Sequence, residues 1–256
     1  MGHTTVLRPR ACGRRIRRVG QLYQRPSQPM TLHVKPELAS WERAGHPSQV
    51  RLSQFLDHVA TLAEPVGAGV DGPLAIEMVV GLPENVTLIA GGCDLDNFLY
   101  PVAQRIGAGR LAAVFGRKVQ AARSSLAVGL AVPKAVAPVP QFTTHVVGSY
   151  EHKAWKEELR GRLLAAHVLP ADPGPVWMQV SLTTGPGRTW TNLWKPLLDS
   201  FGPVLRADPA HPFSPYDDRI VDLGLHHAMD ASLGHGVSID AWWGVHGSPC
   251  ARELGQ

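Results

Sequence analysis

Apolar positions along this chain alternate between two periodicities. From Val50 to Ala63 and again from His152 to Ala166 the spacing is helical, and in the second stretch Trp155, Leu159, Leu163 and Leu164 share one face. A glycine-proline pair follows each helix and opens an apolar strand, Gly72 to Val80 in the first case and Gly174 to Leu182 in the second. Beyond each strand comes a short loop and then the spacing Asn-x3-Pro-x5-Gly, carried by Asn97, Pro101 and Gly107 and by Asn192, Pro196 and Gly202. A proline deep in a helix costs about 3 kcal/mol. The helices are therefore expected to begin near Asn97 and Asn192, with the asparagines as caps and the prolines in the first turn.

An offset of 95 residues carries Asn97 onto Asn192 and, without a gap, Gly129-Leu130 onto Gly224-Leu225. Those pairs sit in strand-like runs, Ser125 to Val132 and Arg219 to Ala228, each leading to a further strand, Phe142 to Val147 and Gly236 to Trp243. The expected fold class is α+β. Two tandem copies of a small strand-helix-strand-helix-strand-strand unit would form a pseudo-dimer, with copy one over 31–148 and copy two over 149–256. Two unrelated segments that share turn residues remain the other reading. The proline-rich stretch Pro133 to Pro140 reads as a hairpin loop near the boundary.

Composition fits a folded body, 44% hydrophobic and 18% charged. No apolar run is long enough for a membrane helix, and no apolar stretch follows the N-terminal arginines as in a secretory signal. Cys12, Cys93 and Cys250 have no metal-type spacing and suggest no disulfide framework, so a cytoplasmic setting is expected. The net charge of +4 is concentrated. Seven of the 25 bases, from Arg8 to Arg25, precede Met30 with no acid among them, which leaves 18 bases against 21 acids in the rest. Residues 1–30 therefore read as a basic, disordered tail, with Met30 as an alternative start, or as an arm for phosphate backbones.

Candidate chemistry begins with Cys93-Asp94-Leu95-Asp96-Asn97, where two carboxylates two residues apart meet a strand-to-helix junction. In extended backbone such residues point the same way and can share a hard cation such as Mg²⁺. In the second half Asn192, Lys195 and Asp199 are followed by Tyr216-Asp217-Asp218-Arg219-Ile220. Together these residues resemble the RusA-type Holliday-junction resolvases, whose pattern is Asp-x-Asp-Asn-x2-Lys-x3-Asp, a loop, and Asp-Asp-x2-Val/Ile at a strand start. Asp94, Asp96 and Asn97 match the first part. Asn192, Lys195, Asp199, Asp217, Asp218 and Ile220 match the later part, and Ser149 to Lys156 is similar to the family's first helix.

The resemblance implies a structure-selective DNA endonuclease that depends on Mg²⁺ or Mn²⁺ and acts on branched DNA. Asp94, Asp96 and Asp218 would hold the metal, Asp217 would help, and Lys195 would meet the scissile phosphate. The chain would act as a monomer, because the dimer is internal. Neither half holds the whole set: Thr189 and Thr191 stand for the first two aspartates in the second half. In the first, Tyr100 and Gln104 stand for the lysine and helix aspartate, and Ala122 and Arg123 for the Asp-Asp pair. A single composite site, two decayed sites on a DNA-binding or protein-interaction scaffold, and an accidental likeness are all open at this point. Arg105, Arg110, Arg117, Lys118 and Arg123 lie in a stretch without acids from Asn97 to Tyr150 and read as a track for the phosphate backbone, or as a solvated face. His226 and His227, adjacent in a strand, should face opposite ways, and Trp242-Trp243 reads as packing.

Overall fold

The computed structural model describes residues 20–39, 42–43, 45–89 and 91–248. Its frame is one mixed sheet of eight strands. In chain order the elements are β1 (Pro29–Thr31), α1 (Pro47–Ala68), β2 (Leu74–Leu82), α2 (Leu95–Ile106), β3 (Leu111–Gln120), β4 (Ser125–Leu130), β5 (Phe142–Val147), α3 (Lys153–Ala165), β6 (Val176–Thr184), α4 (Trp194–Ser200), α5 (Gly202–Leu205), β7 (Ile220–Met229) and β8 (Gly236–Val245). The strands lie in the order β1-β4-β2-β3-β7-β6-β8-β5. No helix among the described residues is long and apolar enough to cross a membrane.

Strand alternation divides the sheet into two chemically different faces. Leu74, Ile76, Met78, Val80 and Leu82 of β2 and Val176, Met178, Val180 and Leu182 of β6 join the main core with Phe55, Val59, Leu99, Leu159, Leu163 and Trp194 from the helices. Gly116 lets α2 lie directly on β3, since a Cβ there would stand 2.9 Å from a Leu99 methyl carbon. The opposite face mixes small and polar residues, Ala75, Glu77, Ala113 and Arg117 in one half and Gln179, Ser181, Asp222 and His226 in the other, with the rings of Phe115, Trp177 and Trp242.

Read from either end, the sheet shows the same sequence of pairings. β2 runs parallel to β3 and antiparallel to β4, while β6 runs parallel to β7 and antiparallel to β8. Both parallel pairs are irregular after their first residue, at Leu74/Ala75 and at Val176/Trp177. The halves meet where β3 and β7 pair antiparallel, with Phe115 opposite Gly224.

The gapless register is overturned. Gly129 lies in β4 opposite Ala75, whereas Gly224 lies in β7. The cause is a loop: only Gly107 to Arg110 separate α2 from β3, but Arg206 to Arg219 separate α5 from β7. β4 therefore matches β8 in its pairing, not β7. β5, which precedes the expected boundary at 148, pairs antiparallel with β8 at the edge of the sheet.

The tail expectation fails for residues 20–29, while residues 1–19, with Arg8 to Arg18, lie outside the described residues. The segment from Gly20 crosses the polar face of the sheet. The Gly20 amide donates to Asp240 (2.8 Å), the Ser181 hydroxyl to Gln21 O (3.0 Å) and the Gln24 amide to Val132 O (2.8 Å). Leu22 packs with Trp177 and Trp242. Arg25 pairs with Glu77 (2.5 Å) and Asp222 and lies 4.7 Å over the Phe115 ring. The physical reason is polar satisfaction: buried carboxylates on a sheet face need a cation that the sheet does not fully supply. His226 is held the same way, with Nδ1 accepting from the Tyr23 amide (3.1 Å), so that Nε2 carries the proton to Gln179 Oε1 (2.7 Å). Burial first, then Arg25 and Lys134, lowers its pKa to about 3, so the ring is neutral.

Candidate metal centre

The site is a consequence of the antiparallel join. Leu82 at the end of β2 pairs with Gln120 at the end of β3, and Arg117 near that end faces Asp222 near the start of β7. The chain leaving β2 and the chain entering β7 thus arrive at one place, from different halves of the sequence.

From the first half comes the start of α2. Asp94 is its N-cap residue, in extended conformation (φ −67°, ψ 129°), and Asp96 stands in the first turn. Helix-end amides favour negative charge there. Asn97 is the third helical residue, not the cap, and its Nδ2 donates to Asp94 Oδ2 (3.1 Å). Pro101 lies well inside α2, not in its first turn. The Asn97 carbonyl it deprives of an amide partner is satisfied by the Ala39 amide at 3.0 Å. Asn192 likewise sits in a 3-10 turn, Trp190–Leu193, that precedes α4.

From the second half comes a single 3-10 turn, Asp217–Arg219, at the head of β7. Two buried cations fix it. The Arg219 guanidinium donates to Gly174 O (3.1 Å), Leu205 O (3.0 Å) and Asp172 O. Lys118, at 1% exposure, donates its ammonium to Asp218 O at 2.6 Å.

Asp94, Asp96 and Asp217 each offer a carboxylate oxygen within 4.8 Å of the other two. This is the all-oxygen donor set a hard divalent cation takes. The ligand expectation needs one correction: the third member is Asp217, not Asp218. Successive residues of a 3-10 turn point about 120° apart. Asp217 turns inward, while Asp218 turns toward Gly91, at which a Cβ would stand 3.8 Å from the Asp218 Oδ2. Lys195 bridges the cluster, with Nζ 3.0 Å from Asp217, 3.8 Å from Asp96 and 3.4 Å from Asp199. Asp199 also meets Lys156 (3.3 Å).

The electrostatics favour a cation. With all groups ionised, Asp94, Asp96, Asp199, Asp217 and Asp218 face Lys118, Lys156, Lys195 and, beside Asp218, Arg219, a surplus of one negative charge. Burial, then Asp217 and Asp218, raises the Asp94 pKa against Lys195 and Lys118. Asp96, 4% exposed, is pushed up to about 6, by burial first and by Asp217 and Asp94 beside it, with Lys195 opposing. Burial alone would lower the Lys195 pKa, but Asp96, Asp217 and Asp199 outweigh it and raise it above the ordinary lysine value. The sign follows: between the ordinary aspartate value and about 6 the folded protein holds a proton at Asp96 that the unfolded chain has lost, so metal-free stability falls as pH rises through that window. Mg²⁺ binding near pH 6 should release protons, and fewer at pH 8. Calorimetry in buffers of different ionisation enthalpy measures this, and equal proton release at both values would contradict it.

The proposed phosphate track does not form one surface. Arg117 pairs with Glu77 (2.8 Å) on the polar face, and Arg110 donates to Gly67 O (2.7 Å) at the other end of β3. Arg105 pairs with Asp57 (2.6 Å) on the helix layer. Arg123 borders a cavity of about 790 Å³ with His33, Lys35 and Glu84. Lys118 belongs to the acid cluster. Period-two alternation signalled this, since Lys118 shares the helix-facing side of β3 with Val114 and Gly116. A second cavity, about 740 Å³, runs from Asp96 and Lys195 past Tyr100, Tyr150 and Trp194 to Thr191.

At the opposite end of the β3–β7 pair, the corresponding place holds Thr189, Thr191, Ala108 and Gly109. The last two precede β3 in a 3-10 turn, Ala108–Arg110, as Asp217 and Asp218 precede β7. The expected correspondence of Ala122 and Arg123 with the Asp-Asp pair is thereby replaced. The Trp190 indole fills this place, donating to Ala108 O (3.2 Å) and stacking on His227 at 5.0 Å and 5°. Gln104 donates to Thr191 (2.9 Å). His227, on the face opposite His226, bonds Thr184 (2.9 Å), and burial lowers its pKa to about 4. No family model, curated protein or solved structure matches this chain.

Proposed function

We propose that this protein is a divalent-metal-dependent, structure-selective DNA endonuclease of RusA type, built as an internal pseudo-dimer with one composite site. The observation that carries the reading is the meeting of Asp94 and Asp96 from one half with Asp217 from the other, each with an oxygen within 4.8 Å of the others. Three carboxylates that repel one another and lift Asp96 to a pKa of about 6 are costly for a purely structural scaffold. They are useful for a cation site.

Asp94, Asp96 and Asp217 would hold Mg²⁺ or Mn²⁺. When bound, the ion supplies an activated water and stabilises charge on the phosphodiester. Lys195, with a side chain 49% exposed, reaches from the cluster to solvent, where it can meet a non-bridging phosphate oxygen. Lys118 holds the Asp217–Asp218 turn from below. The cavity lined by Tyr100, Tyr150 and Trp194 opens beside Lys195 and suits an unstacked base, which branched DNA offers more readily than a plain duplex.

The test is incubation of the full chain with branched and linear DNA, with Mg²⁺, with Mn²⁺ and with neither. Metal-dependent cutting near the branch is expected. Tight binding of branched DNA without cutting in either metal would replace this reading by a catalytically degenerate binding scaffold. Absence of both binding and cutting would remove DNA from the account.

A further inference from the structure

We infer that each binding event cuts a single strand, so that the product on a two-fold symmetric junction is a nick and not a pair of opposed cuts. The inference rests on the endonuclease reading and adds its outcome. It is carried by what occupies the place related to the acid cluster by the palindromic strand order.

That order and the Phe115–Gly224 pairing give the join an approximate two-fold arrangement, so each end of the β3–β7 pair offers a corresponding location. One end holds Asp94, Asp96 and Asp217. The other holds Thr189, Thr191, Ala108 and Gly109, which offer hydroxyls and backbone but no carboxylate. Its interior is closed by the Trp190 ring, at 2% exposure, wedged between Ala108 O and the His227 face. Gln104 engages the Thr191 hydroxyl. Lys118, the cation under the working turn, has His227 as its counterpart, two residues beyond Leu225 as Lys118 is beyond Gly116 on the helix side of its strand. A neutral imidazole stacked on indole neither binds a hard cation nor faces a phosphate.

The two locations are offset along α2: Gln104, which bonds Thr191, stands eight residues beyond Asp96, so the threonine end lies roughly 12 Å of helix from the carboxylates. A phosphate seated at Asp217 leaves its symmetry mate at the Trp190 end, out of reach of the only cluster of this kind among the described residues. The reaction is hydrolysis: the water oxygen forms a bond to phosphorus, one phosphorus–oxygen ester bond breaks, and the water proton balances the released alkoxide. A second strand is cut only after release and rebinding in the other orientation.

A supercoiled plasmid that extrudes an inverted repeat as a cruciform separates the outcomes, with the full chain, Mg²⁺ and plasmid in excess. Open circles should exceed linear molecules at least tenfold early in the reaction, with linear product appearing only later from the nicked pool. Linear product formed from the start would overturn the inference while leaving the endonuclease reading intact. No cutting of any branched substrate would sink both. Asp217→Asn gives an independent arm: with one site it should abolish nicking, whereas a second working site would still yield open circles.

Discussion

Asp217→Asn should slow Mg²⁺-dependent cutting of branched DNA by about a thousandfold, equivalent to ~4 kcal/mol of transition-state stabilisation. The substitution removes one of three carboxylates that converge within 4.8 Å and also the nearest partner of Lys195, at 3.0 Å. Calorimetric Mg²⁺ binding should weaken in parallel. Without metal the variant should melt no lower than the parent, because Asp217 raises the pKa values of Asp94 and Asp96 and its removal relieves repulsion. Asp218→Asn should cost tenfold or less, since that carboxylate lies outside the cluster and its turn is held through a backbone carbonyl. A larger effect from Asp218 than from Asp217 would reverse the assignment of the third ligand.

Arg25→Met should destabilise the fold by about 3 kcal/mol, among the largest effects expected of one substitution. It removes the ion pair of Asp222 on the covered face of the sheet and one of the two cations beside Glu77, whose side chain is 8% exposed and retains Arg117. Urea unfolding measures the loss, and 0.5 M salt should change it little because the pair is shielded from solvent. A loss under 1 kcal/mol would mean that the segment from Gly20 to Pro26 rests on the sheet without holding it. A chain begun at Met30 should suffer more than the point variant, since it also loses Leu22 from between Trp177 and Trp242.

What the sequence made legible was local. Asp94 and Asp96 stood out because their spacing and the strand-to-helix junction lie within a few residues of one another. The two helix-strand units were visible because glycine-proline pairs marked the same entrance to β2 and β6. The choice between Asp217 and Asp218 was not visible, because adjacent residues in a 3-10 turn are sorted by anchors that arrive from Lys118 and Arg219, remote in the chain. The register failed because Gly129-Leu130 lies in β4 and Gly224-Leu225 in β7, and the segment leading to β7 is longer than the one leading to β3. The order of the segment from Gly20 was not legible in composition. Arg25 follows six arginines in an acid-free stretch, and its place is set by Glu77 and Asp222, residues that become neighbours only when the halves join.

The antiparallel join of β3 and β7 also sets a condition on inheritance. A symmetric pair of two first halves would set Asp94 and Asp96 against Ala108 and Gly109, and a pair of two second halves would set Asp217 against Thr189 and Thr191. Either assembly has an incomplete donor set at both ends. On the proposed reading the two halves are complements: Asp94 and Asp96 come from one and Asp217 from the other, so a chain that kept either half alone would lack part of the donor set.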